Sequence, residues 1–130
     1  FINRNLTAAF TLMPRIRAEA PYVQLSQHGM SILLSTPALV YLLWPRRRHR
    51  LATQMLVVAG VLLVPILLYQ NTGWEQFGYR FAMDYLPYLV ALLAVGGRPL
   101  TGRVKFVILL GVVINLFGAV TFGRFPDFYY

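Results

Sequence analysis

The chain contains no cysteine, and only 4 of its 130 residues are acidic. The absence of cysteine excludes disulfide bonds and thiolate metal sites. The two histidines, His28 and His49, do not have the spacing of a metal-binding pair. Motifs for a nucleophile elbow, a P-loop or a dinucleotide-binding turn are also missing. We therefore identify no catalytic residue, no metal site and no cofactor site in this chain.

Charge of either sign is scarce. Charged residues make up 12% of the chain and hydrophobic residues 58%, with a mean hydropathy of +0.59. A soluble domain of this length could not bury so much apolar surface, so lipid is the expected solvent. The net charge of +8 does not indicate nucleic-acid binding, because the arginines lie between apolar runs. Positive charge in that position is typical of the flanks of membrane spans.

The N-terminus, Phe1, is not followed by a basic leader, an apolar core and a small-residue cleavage site in order. Because the chain begins with Phe1 and not Met, we expect a processed start, a start that was not seen, or the end portion of a longer protein. The distinction matters for function, because a portion of an enzyme can lack its catalytic residues.

Apolar runs predict spanning helices at residues 29–45, 51–69, 80–97 and 104–123. A helix needs about 20 residues to cross a bilayer. The runs lack the period-two alternation of barrel strands. Pro37, Pro65 and Pro87 lie within three of the runs, and we predict helix kinks there. The predicted class is all-α: a polytopic transmembrane bundle, residues 29–123, of about four spanning helices.

Charge in the connecting loops predicts the orientation. Loops 46–50 and 97–105 are short and basic, which indicates the cytoplasmic side. Loop 70–79 and the aromatic tail, 124–130, then face outward. The N-terminal segment, 1–28, also faces outward in this topology, although it contains three arginines.

The N-terminal segment has apolar residues at helical spacing: Leu6, Phe10, Met13 and Ile16. This pattern predicts an amphipathic helix in the membrane interface, bent at Pro14. The alternative is the outer end of an earlier membrane helix. Residues 5–7 match a glycosylation sequon, which is a short and weakly specific pattern.

Small and polar residues within the runs predict how the helices pack. The small residues that allow close approach are Gly60, Gly111 and Gly118, with Ala59 and Ala119. Asn115 lies in the middle of the fourth run and needs a hydrogen bond to another helix.

Arg80 and Asp84 lie at the start of the predicted run 80–97, with Asp84 about one turn inside it. A spacing of i, i+4 would put them on one helical face, and charge at membrane depth is costly unless it is compensated. One interpretation is an ion pair at the start of the third helix. The other is that Arg80 binds an anionic lipid phosphate, with Asp84 orienting its guanidinium. Tyr79 and Trp74 would add contacts to that phosphate, or they anchor the chain at the interface.

Two segments, GMSILLSTPALVYLL (29–43) and GWEQFGYRFAMDYLPYLVALLAVG (73–96), together resemble the C-terminal membrane region of bacterial GT-C-type glycosyltransferases. Those polytopic enzymes transfer sugar from a polyprenyl-phosphate donor on the outer face of the inner membrane. The resemblance covers about residues 21–96. It implies a multi-pass protein of the bacterial inner membrane, with Arg80 and Asp84 beside the lipid-phosphate cavity. The family's catalytic acid lies in an early outer loop, to which nothing here corresponds.

Two functions follow from these observations. The first is the C-terminal portion of a membrane glycosyltransferase-like protein, with membrane lipids and a polyprenyl-phosphate-sugar as partners. The alternative is a non-catalytic structural or accessory subunit of a larger respiratory or photosynthetic membrane complex, with other membrane subunits as partners. A transporter or channel is disfavoured, because no run contains a ladder of ionisable residues.

Overall fold

The computed structural model describes residues 1–44 and 50–130, and most of these residues are helical. The helices are, in chain order, α1 (Ile2–Leu6) with a π-helical turn (Thr7–Thr11), α2 (Ile32–Ser35), a 3₁₀ helix (Pro37–Leu43), α3 (Arg50–Leu68), a second 3₁₀ helix (Arg80–Asp84), α4 (Leu86–Val95), α5 (Gly102–Thr121) and a 3₁₀ turn (Pro126–Phe128). A two-stranded antiparallel ribbon, β1 (Arg15–Ile16) and β2 (Val23–Gln24), was not predicted. The described residues do not include residue 45, the last of the run 29–45. They also do not include the predicted loop 46–50, apart from Arg50.

Two helices, α3 and α5, are long and apolar enough to cross a membrane, with 19 and 20 residues. They coincide closely with the predicted runs 51–69 and 104–123. Only 6% of the most apolar window of α3, and 22% of that of α5, is buried within the chain. Most of their apolar surface is therefore left for lipid or for other helices, which supports a membrane-associated helical protein.

The run 29–45 does not form the predicted continuous helix. It contains the four-residue α2 and the first 3₁₀ helix, separated at Thr36 (φ −133°, ψ 71°). Pro37 explains the break, because proline lacks the N–H of a helical hydrogen bond and disfavours the α conformation in the residue before it. The proline therefore ends one helix and begins another, where a kink was predicted.

The run 80–97 is divided in the same way. The second 3₁₀ helix ends at Asp84, Tyr85 lies between the helices (φ −112°, ψ −16°), and α4 has only 10 residues. Pro87 lies in the first turn of α4, where its missing N–H has no helical partner to lose. Of these three prolines, Pro65 alone lies inside a continuous helix, α3, and the kink there stays a prediction.

The N-terminal helix is shorter than predicted and buries a different face. Its π-helical turn ends at Thr11, so the predicted bend at Pro14 and the helical placement of Ile16 are wrong. The buried face consists of Asn5, Ala8 and Ala9, because α1 and its extension pack closely against the bundle. The predicted apolar face is largely exposed, and its location in a membrane interface stays a prediction.

Three segments distant in sequence meet at one end of the bundle, which we call the tail end: residues 15–27, 69–79 and 124–130. The backbone of Leu25 accepts a hydrogen bond from the Tyr130 amide at 2.9 Å, and the Gln27 carbonyl accepts one from the Gln76 amide at 3.2 Å. The opposite end, which we call the basic end, contains Trp44, Arg50 and residues 96–103. The predicted topology places the segments of the tail end on one side of a membrane.

Helix α5 packs against α2 and the first 3₁₀ helix through a small residue and an amide. A Cβ added at Gly111 would lie 3.1 Å from Cδ of Pro37, so only glycine allows this approach without a shift. Four residues on, Asn115 Nδ2 donates to the carbonyls of Ser35 at 2.6 Å and Gly111 at 2.7 Å. The predicted hydrogen bond of Asn115 to another helix is thereby confirmed.

Replacement of Asn115 by alanine is expected to lower the free energy of unfolding by about 0.6 kcal/mol, and by no more than about 1.7 kcal/mol. The bond to Ser35 is lost, while the Ser35 carbonyl finds alternative partners in the unfolded chain. Denaturant unfolding in neutral-lipid bicelles measures the change. The control is Gln54→Ala in α3, whose exposed amide is not part of a helix contact that the structure describes. An equal loss in both variants would contradict the assignment.

Candidate functional site

The four residues predicted to bind a lipid phosphate lie at or next to the tail end, in different environments. Trp74 is 54% exposed, whereas Tyr79 is only 3% exposed. Arg80 and Asp84, at the two ends of the second 3₁₀ helix, are both exposed. The structure therefore makes Tyr79 part of the core and leaves the other three accessible.

Among the residues that the structure describes, Arg80 and Asp84 form no ion pair. The prediction assumed an α-helix, in which residues i and i+4 are neighbours. In a 3₁₀ helix, with three residues per turn, residues i and i+4 point about 120° apart. Asp84 therefore does not orient the guanidinium of Arg80, which instead lies 5.5 Å from the centre of the Phe81 ring.

Asp84 lines a cleft of about 530 Å³ between the end of α3 and the second 3₁₀ helix. We call it the Asp84 cleft, and its lining consists of Leu62, Pro65, Ile66, Tyr69, Phe81, Asp84 and Tyr88. Its wall is mostly aliphatic and aromatic, while two phenols and one carboxylate provide the polar groups. Arg80 is not part of this lining, but its guanidinium carbon lies 5.5 Å from the centre of the Phe81 ring, which is. The cleft thus combines an apolar wall with one anionic group, and a cation lies beside one of its lining residues.

Tyr79 is held by Asn5, which is 1% exposed. The Tyr79 hydroxyl donates to Asn5 Oδ1 at 3.2 Å, and Asn5 Nδ2 donates to the carbonyls of Leu67 at 3.2 Å and Tyr69 at 2.7 Å. Those carbonyls belong to the end of α3, where a helix has no internal donors left. Burial raises the pKa of the Tyr79 phenol, so the hydroxyl stays a donor. The hydroxyl is therefore committed to Asn5, which excludes Tyr79 as a direct phosphate contact in this conformation.

The loop before the second 3₁₀ helix is fastened by the buried amide of Gln76. Its Nε2 donates to the carbonyls of His28 at 2.6 Å and Thr72 at 2.9 Å, and its Oε1 accepts from the Arg80 amide at 3.3 Å. All polar atoms of this side chain are thus used to hold the backbone. Gln76 fixes the start of the segment that bears Arg80.

Trp74 lies against His28, with ring centres 5.0 Å apart in an edge-to-face arrangement. Nδ1 of His28 is 3.0 Å from the Gly73 carbonyl oxygen and 3.0 Å from the Thr72 hydroxyl. A carbonyl only accepts, so its contact favours the tautomer with the proton on Nδ1. His28 therefore supports the loop and Trp74.

Sequence analysis missed Asn5 and Gln76 as the residues that hold this region together. Their partners are far away in sequence, at separations of 62 to 74 residues for Asn5, so no local pattern reveals them. The pattern at residues 5–7 indicated glycosylation instead. Nδ2, the atom that a glycan would occupy, is buried and bonded to two carbonyls. The folded chain is therefore not a substrate for glycosylation at Asn5.

Comparisons of this chain with family models, curated proteins and solved structures found no match.

Proposed function

We propose that this chain is the C-terminal, non-catalytic portion of an integral membrane glycosyltransferase-like protein of the GT-C type. In this proposal the Asp84 cleft receives the headgroup of a polyprenyl-phosphate-sugar. The observation that supports it most directly is the composition of the cleft, which has an apolar wall and the Asp84 carboxylate, with the Arg80 guanidinium beside the lining residue Phe81. The resemblance of residues 21–96 to that family supplies the substrate class.

Because Arg80 and Asp84 lie apart, each contacts a different part of the ligand in this proposal. A guanidinium binds a phosphate through paired N–H donors, whereas a carboxylate repels phosphate and accepts hydrogen bonds from sugar hydroxyls. The phosphate therefore lies towards Arg80 and the sugar towards Asp84. The isoprenoid chain follows the aliphatic wall formed by Leu62 and Ile66. Catalysis is assigned to no residue of this chain.

The test is binding of a polyprenyl-phosphate-hexose, and of the same polyprenyl phosphate without sugar, to the protein in neutral-lipid nanodiscs. Arg80→Met is expected to weaken both ligands about tenfold or more, because a hydrogen bond to a charged group is lost. Asp84→Asn is expected to weaken only the sugar-bearing ligand. Arg124→Met, which removes an exposed tail-end arginine away from the cleft, is the control.

Two results would contradict this function. One is that folded Arg80→Met protein binds both ligands as tightly as the unchanged chain. The other is that Asp84→Asn weakens both ligands equally. Circular dichroism of each variant shows whether the helices are intact, so that a loss of binding is not confused with a loss of fold.

A second proposed function is a structural subunit of a larger respiratory or photosynthetic membrane complex. It is favoured by the small buried fraction of α3 and by Gly60 on that helix, where an added Cβ would meet nothing within 4 Å. A helix with a small residue on an open apolar face permits close approach of another helix. Extraction of native membranes in mild detergent separates the two functions. Recovery with fixed-stoichiometry subunits supports the complex, and recovery as part of a longer polypeptide supports the glycosyltransferase-like protein.

A further inference from the structure

The basic end has a second cleft, distinct from the Asp84 cleft and of about 520 Å³. Arg98, Arg103, Thr101 and the Tyr41 ring contribute to its lining. Arg98 is held in place, because its Nη2 donates to the Trp44 carbonyl at 2.5 Å and its guanidinium carbon lies 4.5 Å from the centre of the Tyr41 ring. These contacts leave further N–H donors of the guanidinium available, since arginine has five.

The positive charge of this cleft is not compensated by the chain itself. All four acidic residues of the sequence lie elsewhere: Glu19, Glu75 and Asp127 in segments of the tail end, and Asp84 in the cleft at the end of α3. The connection from α4 to α5, together with the first turn of α5, contributes Arg98, Arg103 and Lys105. A cluster of cationic side chains without a nearby carboxylate attracts an anion from outside the chain.

The backbone around the cleft favours the same kind of group. Helix α5 begins here, and the side chain of its N-cap residue, Thr101, makes no capping hydrogen bond within the described residues. The first amide N–H groups of a helix have no internal partners, and they point outward with a partial positive charge. They add to the arginine charge, which remains the main attraction.

We infer that this basic cleft binds a phosphate group, on an anionic lipid headgroup or free in solution. Phosphate matches the observations because guanidinium groups bind it through two hydrogen bonds at once. Basic pockets beside membrane helices are suited to anionic lipid headgroups. The ligand is therefore different from that of the Asp84 cleft, and the site does not depend on the proposed glycosyltransferase-like function.

The experiment measures binding to the full chain in phosphatidylcholine nanodiscs. One arm adds phosphatidylglycerol to the nanodisc and counts retained lipids by native mass spectrometry. The other arm titrates inorganic phosphate into pure phosphatidylcholine nanodiscs and follows binding by calorimetry. Saturable binding in the first arm alone identifies a lipid site, and saturable binding in the second identifies a site for free phosphate. Absence of saturable binding in both arms overturns the inference.

The variants compare equal losses of charge at the two ends of the bundle. The pair Arg98→Gln and Arg103→Gln is expected to weaken binding about 30-fold, from the usual contribution of two basic residues. The control pair, Arg4→Gln and Arg124→Gln, removes two exposed arginines near the tail end and is expected to change binding less than about twofold, because their charge is screened over that distance. An equal effect of the two pairs overturns the site, since only net charge would then matter.

A charge-retaining variant tests whether a loss of binding comes from misfolding at the basic end or from the loss of charge. The pair Arg98→Lys and Arg103→Lys keeps the positive charge but loses the planar fork. The lysine pair is expected to bind more weakly than the unchanged chain and more tightly than the glutamine pair. If both pairs fold and both bind as the unchanged chain does, the arginines are not the ligands and the inference fails.

Discussion

Replacement of Asn5 by alanine is expected to lower the free energy of unfolding by about 2–4 kcal/mol, because several buried polar groups lose a partner together. The variant leaves the Tyr79 hydroxyl without an acceptor, and it removes the donor that serves the carbonyls of Leu67 and Tyr69. The substitution also leaves a small cavity, because Asn5 is only 1% exposed, and this cavity lowers the stability further. Thermal or denaturant unfolding in neutral-lipid bicelles, followed by circular dichroism, measures the change.

The matched control is Asn3→Ala, two residues earlier in α1 on an exposed position, which is expected to change stability by less than about 0.5 kcal/mol. Tyr79→Phe completes a double-mutant cycle with Asn5→Ala. The two changes remove the same hydrogen bond, so their effects should sum to more than the effect of the double variant. Equal stability of Asn3→Ala and Asn5→Ala would show that the Asn5 network contributes nothing.

Two glycines on the long helices are expected to respond to alanine with opposite signs. At Gly118 an added Cβ would lie 2.5 Å from Cδ1 of Phe77 and 2.6 Å from its Cγ. Contact with Cγ, at the root of the side chain, cannot be relieved by rotating the ring alone. We expect Gly118→Ala to lower the free energy of unfolding by about 1–3 kcal/mol through overpacking.

Gly60→Ala is the matched comparison, because an added Cβ there meets nothing within 4 Å. Alanine is favoured over glycine inside a helix, so this variant is expected to raise stability by about 0.5–1 kcal/mol. Unfolding of the isolated chain in bicelles measures both variants. A stabilising effect of Gly118→Ala would mean that Phe77 does not lie against α5.

The same pair of variants bears on the second proposed function. If a partner helix in a larger complex approaches α3 at Gly60, alanine there would stabilise the isolated chain and weaken assembly. If Gly60 faces lipid, assembly is unchanged. The comparison thus separates a packing role within the chain from one between chains.

The parts of the fold that the sequence predicted are those governed by local composition. Helices α3 and α5 follow from uninterrupted apolar runs of about spanning length. Because Asn115 carries an amide within an apolar helix, the sequence predicted a hydrogen bond to another helix. It did not predict that the partner is Ser35. The kinks predicted at Pro37 and Pro87 were wrong, because each proline lies in the first turn of a new helix. Whether a proline kinks a helix or separates two depends on the packing around it.

The candidate site was predicted only in part, because its geometry depends on the type of helix and on distant partners. Arg80 and Asp84 have α-helical spacing in the sequence, yet a 3₁₀ helix directs them apart. Tyr79 was expected to contact a ligand, and the amide of Asn5 instead holds its hydroxyl in the core. The role of Arg80 and Asp84 in binding a lipid ligand remains a prediction.

The sequence by itself determined that this chain is predominantly helical, that two of its helices suit a membrane, and that its basic and aromatic connections separate into two groups. Those properties depend on apolar runs and on the order of charges along the chain. Only the tertiary structure decided which polar residues hold the tail end together. It also decided which charged side chains, among the described residues, lack an ion-pair partner. Hydrogen bonds such as that between Asn5 and Tyr79 join residues 74 positions apart, and such pairings form only when the helices have packed.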